Sequence, residues 1–273
     1  MSTANASSHP AQVYAVTGAS GALGRAIVGA LAGPPNRHIV LAGRGLSALE
    51  EVAAEAAAAG ESTMHIVAGA DAEQPAAAAA AVMDKVRDVV AALPGGPVQL
   101  VLVHSAGTLC DLRKTADQYG ADEIASYTTV NFVALAVLAA RFLEYAKATA
   151  AERICIVDIS SLLAVKPFAN WGLYAATRAG RNQLMRVIAL EQAEDPRVKV
   201  LSYAPGPLDG DMQASIRNSI GDTAQRELYA RLHREGKLVR PADTARLMCG
   251  LVEDWAFESG AHIDVYDLMP PPA

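Results

Sequence analysis

The chain has 273 residues, of which 52% are hydrophobic and 19% charged, a balance that supports a large packed core and excludes intrinsic disorder. With 23 Lys and Arg against 29 Asp and Glu, the formal net charge is −6, so there is no diffuse attraction to phosphate backbones and no nucleic-acid partner is expected. The three cysteines, Cys110, Cys155 and Cys249, form neither a disulfide framework nor a zinc spacing, which predicts buried thiols at 155 and 249, no metal, and a reducing, cytoplasmic setting.

Residues 1–10 are small and polar, without a basic or apolar run, and predict a loose tail ahead of a single domain over 11–273. Apolar runs break well short of the ~20 residues of a membrane span, so no membrane association is expected. Residues 13–16 (VYAV) form a short apolar run that ends at Thr17-Gly18, and a helical pattern follows over 23–31 until Gly33-Pro34-Pro35 stops it. The pattern then alternates: strands over 39–41, 64–67, 98–103, 154–159 and 198–203, helices over 47–59, 76–92, 122–147 and 174–192. A helical excursion over 211–236, a helix over 243–253 and a last strand over 261–266 complete the chain. Strands apolar on both faces, alternating with helices, predict an α/β fold: a Rossmann-type, doubly wound parallel sheet of about seven strands covered by helices on both faces.

The first strand–turn–helix unit carries Thr17-Gly18-Ala19-Ser20-Gly21-Ala22-Leu23-Gly24. Gly18, Gly21 and Gly24 allow a sharp turn and a close backbone approach, and the helix start behind them offers free N–H groups and a positive dipole end to a pyrophosphate. No Asp or Glu occurs between Arg25 and Leu49, and the second strand leads into Gly43-Arg44. An acid in that stretch would bind a ribose 2′-hydroxyl; a guanidinium matches a 2′-phosphate, which favours NADP(H) over NAD, unless Arg44 is only a solvated surface charge. After the fifth strand comes Asp158-Ile159-Ser160-Ser161, and Tyr174 and Arg178 stand one helical turn apart further on. A phenol beside a fixed cation can donate or accept a proton, and a Ser hydroxyl opposite can hold a carbonyl oxygen. Singly, Tyr174 is equally a core filler and Ser161 a cap.

Together these elements resemble the short-chain dehydrogenase/reductase family over nearly the whole chain, and within it the sepiapterin-reductase branch. That branch is suggested by the runs ISSLLAVKPFANWGLY from Ile159, YAPGPLDGDMQ from Tyr203 and SGAHIDVYD from Ser259. The resemblance implies NADPH-dependent reduction of a carbonyl on a small molecule, a pterin side chain or a small dicarbonyl. It places Tyr174 as proton donor, Ser161 as the group that polarises the carbonyl, Arg178 at the family's lysine and Asn131 at its supporting asparagine. It places Gly18, Ser20, Gly21, Leu23, Gly24, Arg44, Asp71, Ala106, Gly107, Pro205 and Gly206 around the dinucleotide, with Asp71 at the adenine. Asp264 falls where two carboxylate oxygens accept from a pterin ring, and Trp171 where a flat wall lines the pocket, or else in ordinary core packing. A homodimer or homotetramer is the assembly the family implies.

The chain departs from the family at three places: Arg178 replaces Lys, Ala22 stands at the middle glycine of the loop, and His104-Ser105-Ala106-Gly107 lacks both asparagines. His104 is read as a satisfied histidine at the strand end rather than a titrating group. An arginine at 178 keeps the charge but does not deprotonate, so a catalytically silent NADP-binding sensor or scaffold stands as the alternative to the reductase.

Overall fold

The computed structural model describes residues 10–269; the tail expected at the N-terminus falls outside them, apart from Pro10. Seven strands form one parallel sheet in the order β3-β2-β1-β4-β5-β6-β7. They are β1 (Ala11–Thr17), β2 (Arg37–Ala42), β3 (Thr63–Val67), β4 (Val98–His104), β5 (Ala151–Ile159), β6 (Val198–Ala204) and β7 (Ala261–Asp264). Helices α1 (Ala22–Leu31), α2 (Leu46–Ala59), α3 (Pro75–Ala92), α4 (Ala121–Thr128), α5 (Ala134–Lys147) and α6 (Gly172–Glu191) form the crossovers between strands. Two short helices, α7 (Asp211–Ser219) and α8 (Thr223–Arg234), make up the excursion after β6, and α9 (Pro241–Glu253) and the single turn α10 (Val265–Leu268) complete the set.

Both faces of the sheet are apolar, and each buries a core. One face packs Val16, Leu41, Val103 and Tyr203 against Ile27 and Val28 of α1 and Met248 of α9. The other packs Val40, Leu100, Leu102 and Ile156 against Val86 of α3, Phe142 of α5 and Met185 of α6. Cys155 and Cys249 lie within the first core, and burial pushes both thiols up to about 12. The strand order reverses between β1 and β4, where a crevice opens at the carboxyl ends of parallel strands.

Three expectations are corrected. The run 122–147 is not one regular helix: residues Thr129–Val133 form a π-type turn between α4 and α5, and Asn131 sits in it. The whole helical stretch Ala121–Lys147 is long and apolar enough to cross a membrane by length and composition, with a mean hydropathy of 1.4, contrary to the expectation that every apolar run is too short. Its face bearing Leu135, Leu138, Ala139 and Phe142 is buried in the core against α3. The last strand ends at Asp264, not Tyr266, because the Asp264 carboxylate accepts the Tyr266 N–H at 3.1 Å and caps α10.

Candidate active site

Glycine shapes the loop after β1. Gly18 has φ +64°, and a Cβ there would lie 2.9 Å from the Ala106 backbone. A Cβ on Gly24 would lie 2.1 Å from the Gly18 carbonyl, so loop and helix close on each other only because position 24 is bare. Gly21 is the N-cap of α1 with extended backbone, and no side chain caps that helix. The chain therefore supplies an uncapped helix start beside a cleft lined by Gly18, Ala70, Ala72 and Ala106, a donor set that fits the pyrophosphate of a dinucleotide. Ala22 opens the helix as an exposed first residue. Leu23 buries its side chain in the core, so only its backbone faces the cleft.

Arg44 is exposed just past β2 and forms no ion pair among the described residues. A Cβ on the adjacent Gly43 would lie 3.6 Å from Ser20 Oγ, which places Ser20 and the Arg44 segment side by side at the loop. The Asp71 carboxylate accepts the Glu73 N–H at 3.0 Å, forming a turn ahead of α3. Past β6, Pro205 is buried and Gly206 has φ +78°; a Cβ there would strike Val239 and Val265 at 2.9 Å.

Tyr174 is 8% exposed near the head of α6. The Arg178 guanidinium lies over its ring, 4.9 Å from the centroid, and the Trp171 indole meets it edge-on at 5.2 Å. Trp171, for which the sequence leaves a pocket wall and ordinary core packing equally open, is 2% exposed against the Tyr174 ring, with its Nε1 donating to Gln225 Oε1 at 2.7 Å. Ser161 leads a short helical turn after β5, and its Oγ accepts the Leu163 N–H at 3.2 Å. Arg178 Nη1 donates to the Ile159 carbonyl at 2.7 Å, while its Nε is buried without a partner. Burial works against the Arg178 charge, but Tyr174 and Asp158 hold its pKa above the ordinary guanidinium value.

Asn131 braces the segment after β4. Its Oδ1 accepts the Thr108 N–H at 2.9 Å, and its Nδ2 donates to Thr108 Oγ1 and to the Tyr127 carbonyl, both at 3.1 Å. A Cβ on Gly107 would lie 2.9 Å from Arg178 Nη2 and 3.1 Å from Asn131 Oδ1, so Gly107 admits both side chains to the same spot. The structure thus brings Asn131, Gly107, Arg178 and Tyr174 together. Asp264, at the end of β7, combines its capping role with partial burial; burial raises its pKa above the usual carboxylate range, and the Tyr266 N–H offsets part of that rise.

Beneath the site runs a feature absent from the sequence reading. Thr17, His104, Asp158, Ser202 and His262 stand in register on five neighbouring strands. Asp158 pairs with Arg181, and neither side chain has any exposure. Arg181 Nε reaches Asp158 Oδ1 at 2.8 Å, and its other nitrogens reach the Ile159 carbonyl at 3.2 Å and the Asn131 carbonyl at 3.4 Å. His104 Nδ1 pairs with Thr17 Oγ1 at 3.1 Å, but its Nε2 is buried without a partner, so the histidine is only half satisfied. Burial, helped by Arg181 and Arg178, holds its pKa well below the usual histidine range. An Asp inside ICIVDI and an Arg three positions past Arg178 were the available signals.

Comparison with known proteins identifies the family. The short chain dehydrogenase family profile matches residues 12–221. A sepiapterin reductase from Meriones unguiculatus is 36% identical over 93% of this chain and 96% of its own length. A sepiapterin reductase from Bos taurus is 39% identical over 64% of each chain, and a benzil reductase ((S)-benzoin forming) from Bacillus cereus is 29% identical over 60% of this chain and 66% of its own. Among solved structures, a short-chain dehydrogenase/reductase from Saccharomyces cerevisiae superposes with a TM-score of 0.78 at 22% identity, over 95% of this chain and all of that one. With a matched profile over most of its length and a relative above 30% identity over nearly its whole length, the chain belongs to the short-chain dehydrogenase family of oxidoreductases.

Proposed function

We propose that the chain is an NADPH-dependent carbonyl reductase of the sepiapterin-reductase type, acting on a pterin side-chain carbonyl or a small dicarbonyl. The observation that carries this reading is the Tyr174 ring in contact with both the Trp171 indole and the Arg178 guanidinium, with Asn131 bracing the neighbouring segment. The relatives named sepiapterin reductase and benzil reductase support the two substrate classes.

When bound, the reduced nicotinamide dinucleotide supplies the hydride. The chain's own residues do the rest. The α1 start, over the loop that Gly18 and Gly24 let close, would hold the pyrophosphate, Arg44 would meet the 2′-phosphate, and Asp71 would take the adenine. Ser161 Oγ donates to the substrate carbonyl, and Tyr174 passes its phenolic proton to the oxygen as charge develops there. Arg178 stabilises the tyrosinate left behind. It is not itself a proton carrier, because a guanidinium does not deprotonate in range. Asp264 accepts from the ring N–H and amino donors of a pterin.

The alternative reading, a silent dinucleotide-binding protein, is favoured by one observation: Arg178 spends Nη1 on the Ile159 carbonyl. One assay separates the two. NADPH oxidation is measured with sepiapterin and with a small dicarbonyl, in the parent and in Tyr174→Phe. A proton donor predicts a loss of about a hundredfold or more in kcat with NADPH affinity retained. Turnover unchanged by the substitution refutes the mechanism, and a parent with no turnover establishes the silent reading.

A further inference from the structure

The excursion α7–α8 is tied to the catalytic helix at one buried point. Ile216 of α7, Ile220 just past its end and Tyr229 of α8 pack with Leu112, Trp171 and Tyr174 in a small core separate from the two that flank the sheet. Apolar packing of this kind holds the excursion over the phenol but does not fix its register. Gln225 supplies the fixed point. It is 7% exposed, its Oε1 accepts the Trp171 indole N–H at 2.7 Å, and its Nε2 donates to the Ala169 carbonyl at 3.1 Å. Its own backbone N–H is held at 2.8 Å by the Asp222 carboxylate that caps α8.

The same place gathers the segment after β4. Asn170, at φ 65°, donates to the Arg113 and Lys114 carbonyls, and the Gly221 N–H donates to the Leu112 carbonyl at 2.9 Å. A Cβ on Gly221 would lie 2.8 Å from Asn170 Nδ2, so the contact is close-packed. Three segments that border the site therefore meet at residues 169–171, directly ahead of the helix that carries Tyr174 and Arg178.

We propose that Gln225 is a positioning residue: it fixes the Trp171 indole against the Tyr174 phenol and so couples the seating of α7–α8 to the alignment of the proton donor. The Trp171 indole meets the Tyr174 ring edge-on while the Arg178 guanidinium lies over that ring, so a shift of the indole releases one of two groups in contact with it. A buried amide can serve both a donor and an acceptor at once, which no apolar residue of the same volume does.

This inference rests on the reductase reading for its turnover measurements, and a second measurement stands apart from it. In Gln225→Leu, shape is kept while the indole N–H and the Ala169 carbonyl lose their partners. The expected result is a fall of about tenfold in kcat with the KM for NADPH unchanged, because misplacement acts on the chemical step alone. Gln225→Glu keeps the acceptor for the indole and restores most of that loss. In a Trp171→Phe background, Gln225→Leu produces no further loss, since the residue acts through the indole. Effects that add across the two backgrounds, or a kcat within about twofold of the parent, overturn the proposal. Independently of turnover, in a Trp255→Phe protein the remaining tryptophan is Trp171. Its quenching by acrylamide rises about threefold or more in Gln225→Leu as the excursion loosens; unchanged quenching overturns the proposal even if no carbonyl substrate is turned over. Should Gln225→Leu not fold, Trp171→Phe alone decides, and an unchanged kcat in it refutes the coupling.

Discussion

Asp158→Asn tests the charge arrangement beneath the site. In the native protein one carboxylate faces two buried guanidiniums, Arg181 directly and Arg178 nearby, with His104 kept neutral alongside. Asparagine preserves the shape and one acceptor for Arg181 Nε, but removes the charge that offsets burial of both cations. Breaking a buried ion pair at one partner costs about 3–5 kcal/mol, and the retained acceptor puts this variant at the lower end, about 3 kcal/mol. At ~2–4 °C per kcal/mol for a chain of this size, Tm falls by about 6–12 °C. Urea unfolding followed by circular dichroism reads the loss as a lower midpoint at unchanged slope. Adding Arg181→Met recovers much of the loss, because the cation left unpaired is then gone. A loss below about 1 kcal/mol in the single variant, or a double variant less stable than the single, refutes the claim that Asp158 serves as the counter-charge.

Arg44→Ala removes the guanidinium assigned to the 2′-phosphate, so the ratio of NADPH to NADH affinity falls by about tenfold or more, read as Kd by fluorescence titration; equal affinities in the parent refute the assignment. Asp264→Asn raises KM for a pterin much more than for a small dicarbonyl, and equal effects on both reduce Asp264 to the cap of α10. His104 is neutral in the fold with its pKa held well below the ordinary value, whereas the unfolded chain takes up a proton near pH 6.5. The unfolded state thus binds more protons below that pH, and stability is lost as pH falls through it. His104→Asn makes that acid loss shallower by up to about 1.4 kcal/mol per pH unit, measured by urea unfolding at pH 5 and 7.5. His38, His65 and His262, whose pKa values are also lowered, leave a residual slope.

The sequence by itself determined the local architecture. Each strand expected from a short apolar run is present, because strands buried on both faces leave a continuous hydrophobic signature. The glycine loop was legible for a similar reason: Gly18 and Gly24 answer to a turn and a contact that lie within the first strand–helix unit. Tyr174 and Arg178 share a face by helical spacing alone, and their stacking follows from that face being buried.

Only the tertiary structure decided what depends on residues far apart in the chain. The π turn at Asn131 has no local signal: the Asn131 side chain accepts the distant Thr108 N–H, and its backbone carbonyl accepts from Arg181. Asp158 carried no assignment of its own in the sequence, and its partner lies 23 positions away on α6. Trp171 read equally as a pocket wall or as core packing, because an indole is flat and apolar. Whether it faces a cavity or a neighbour was decided by Gln225, 54 residues further on, whose carbonyl draws the N–H edge into the interior. Periodicity records which face of an element is buried; it does not record which distant polar group will meet it there, and in this chain such meetings gather around Tyr174.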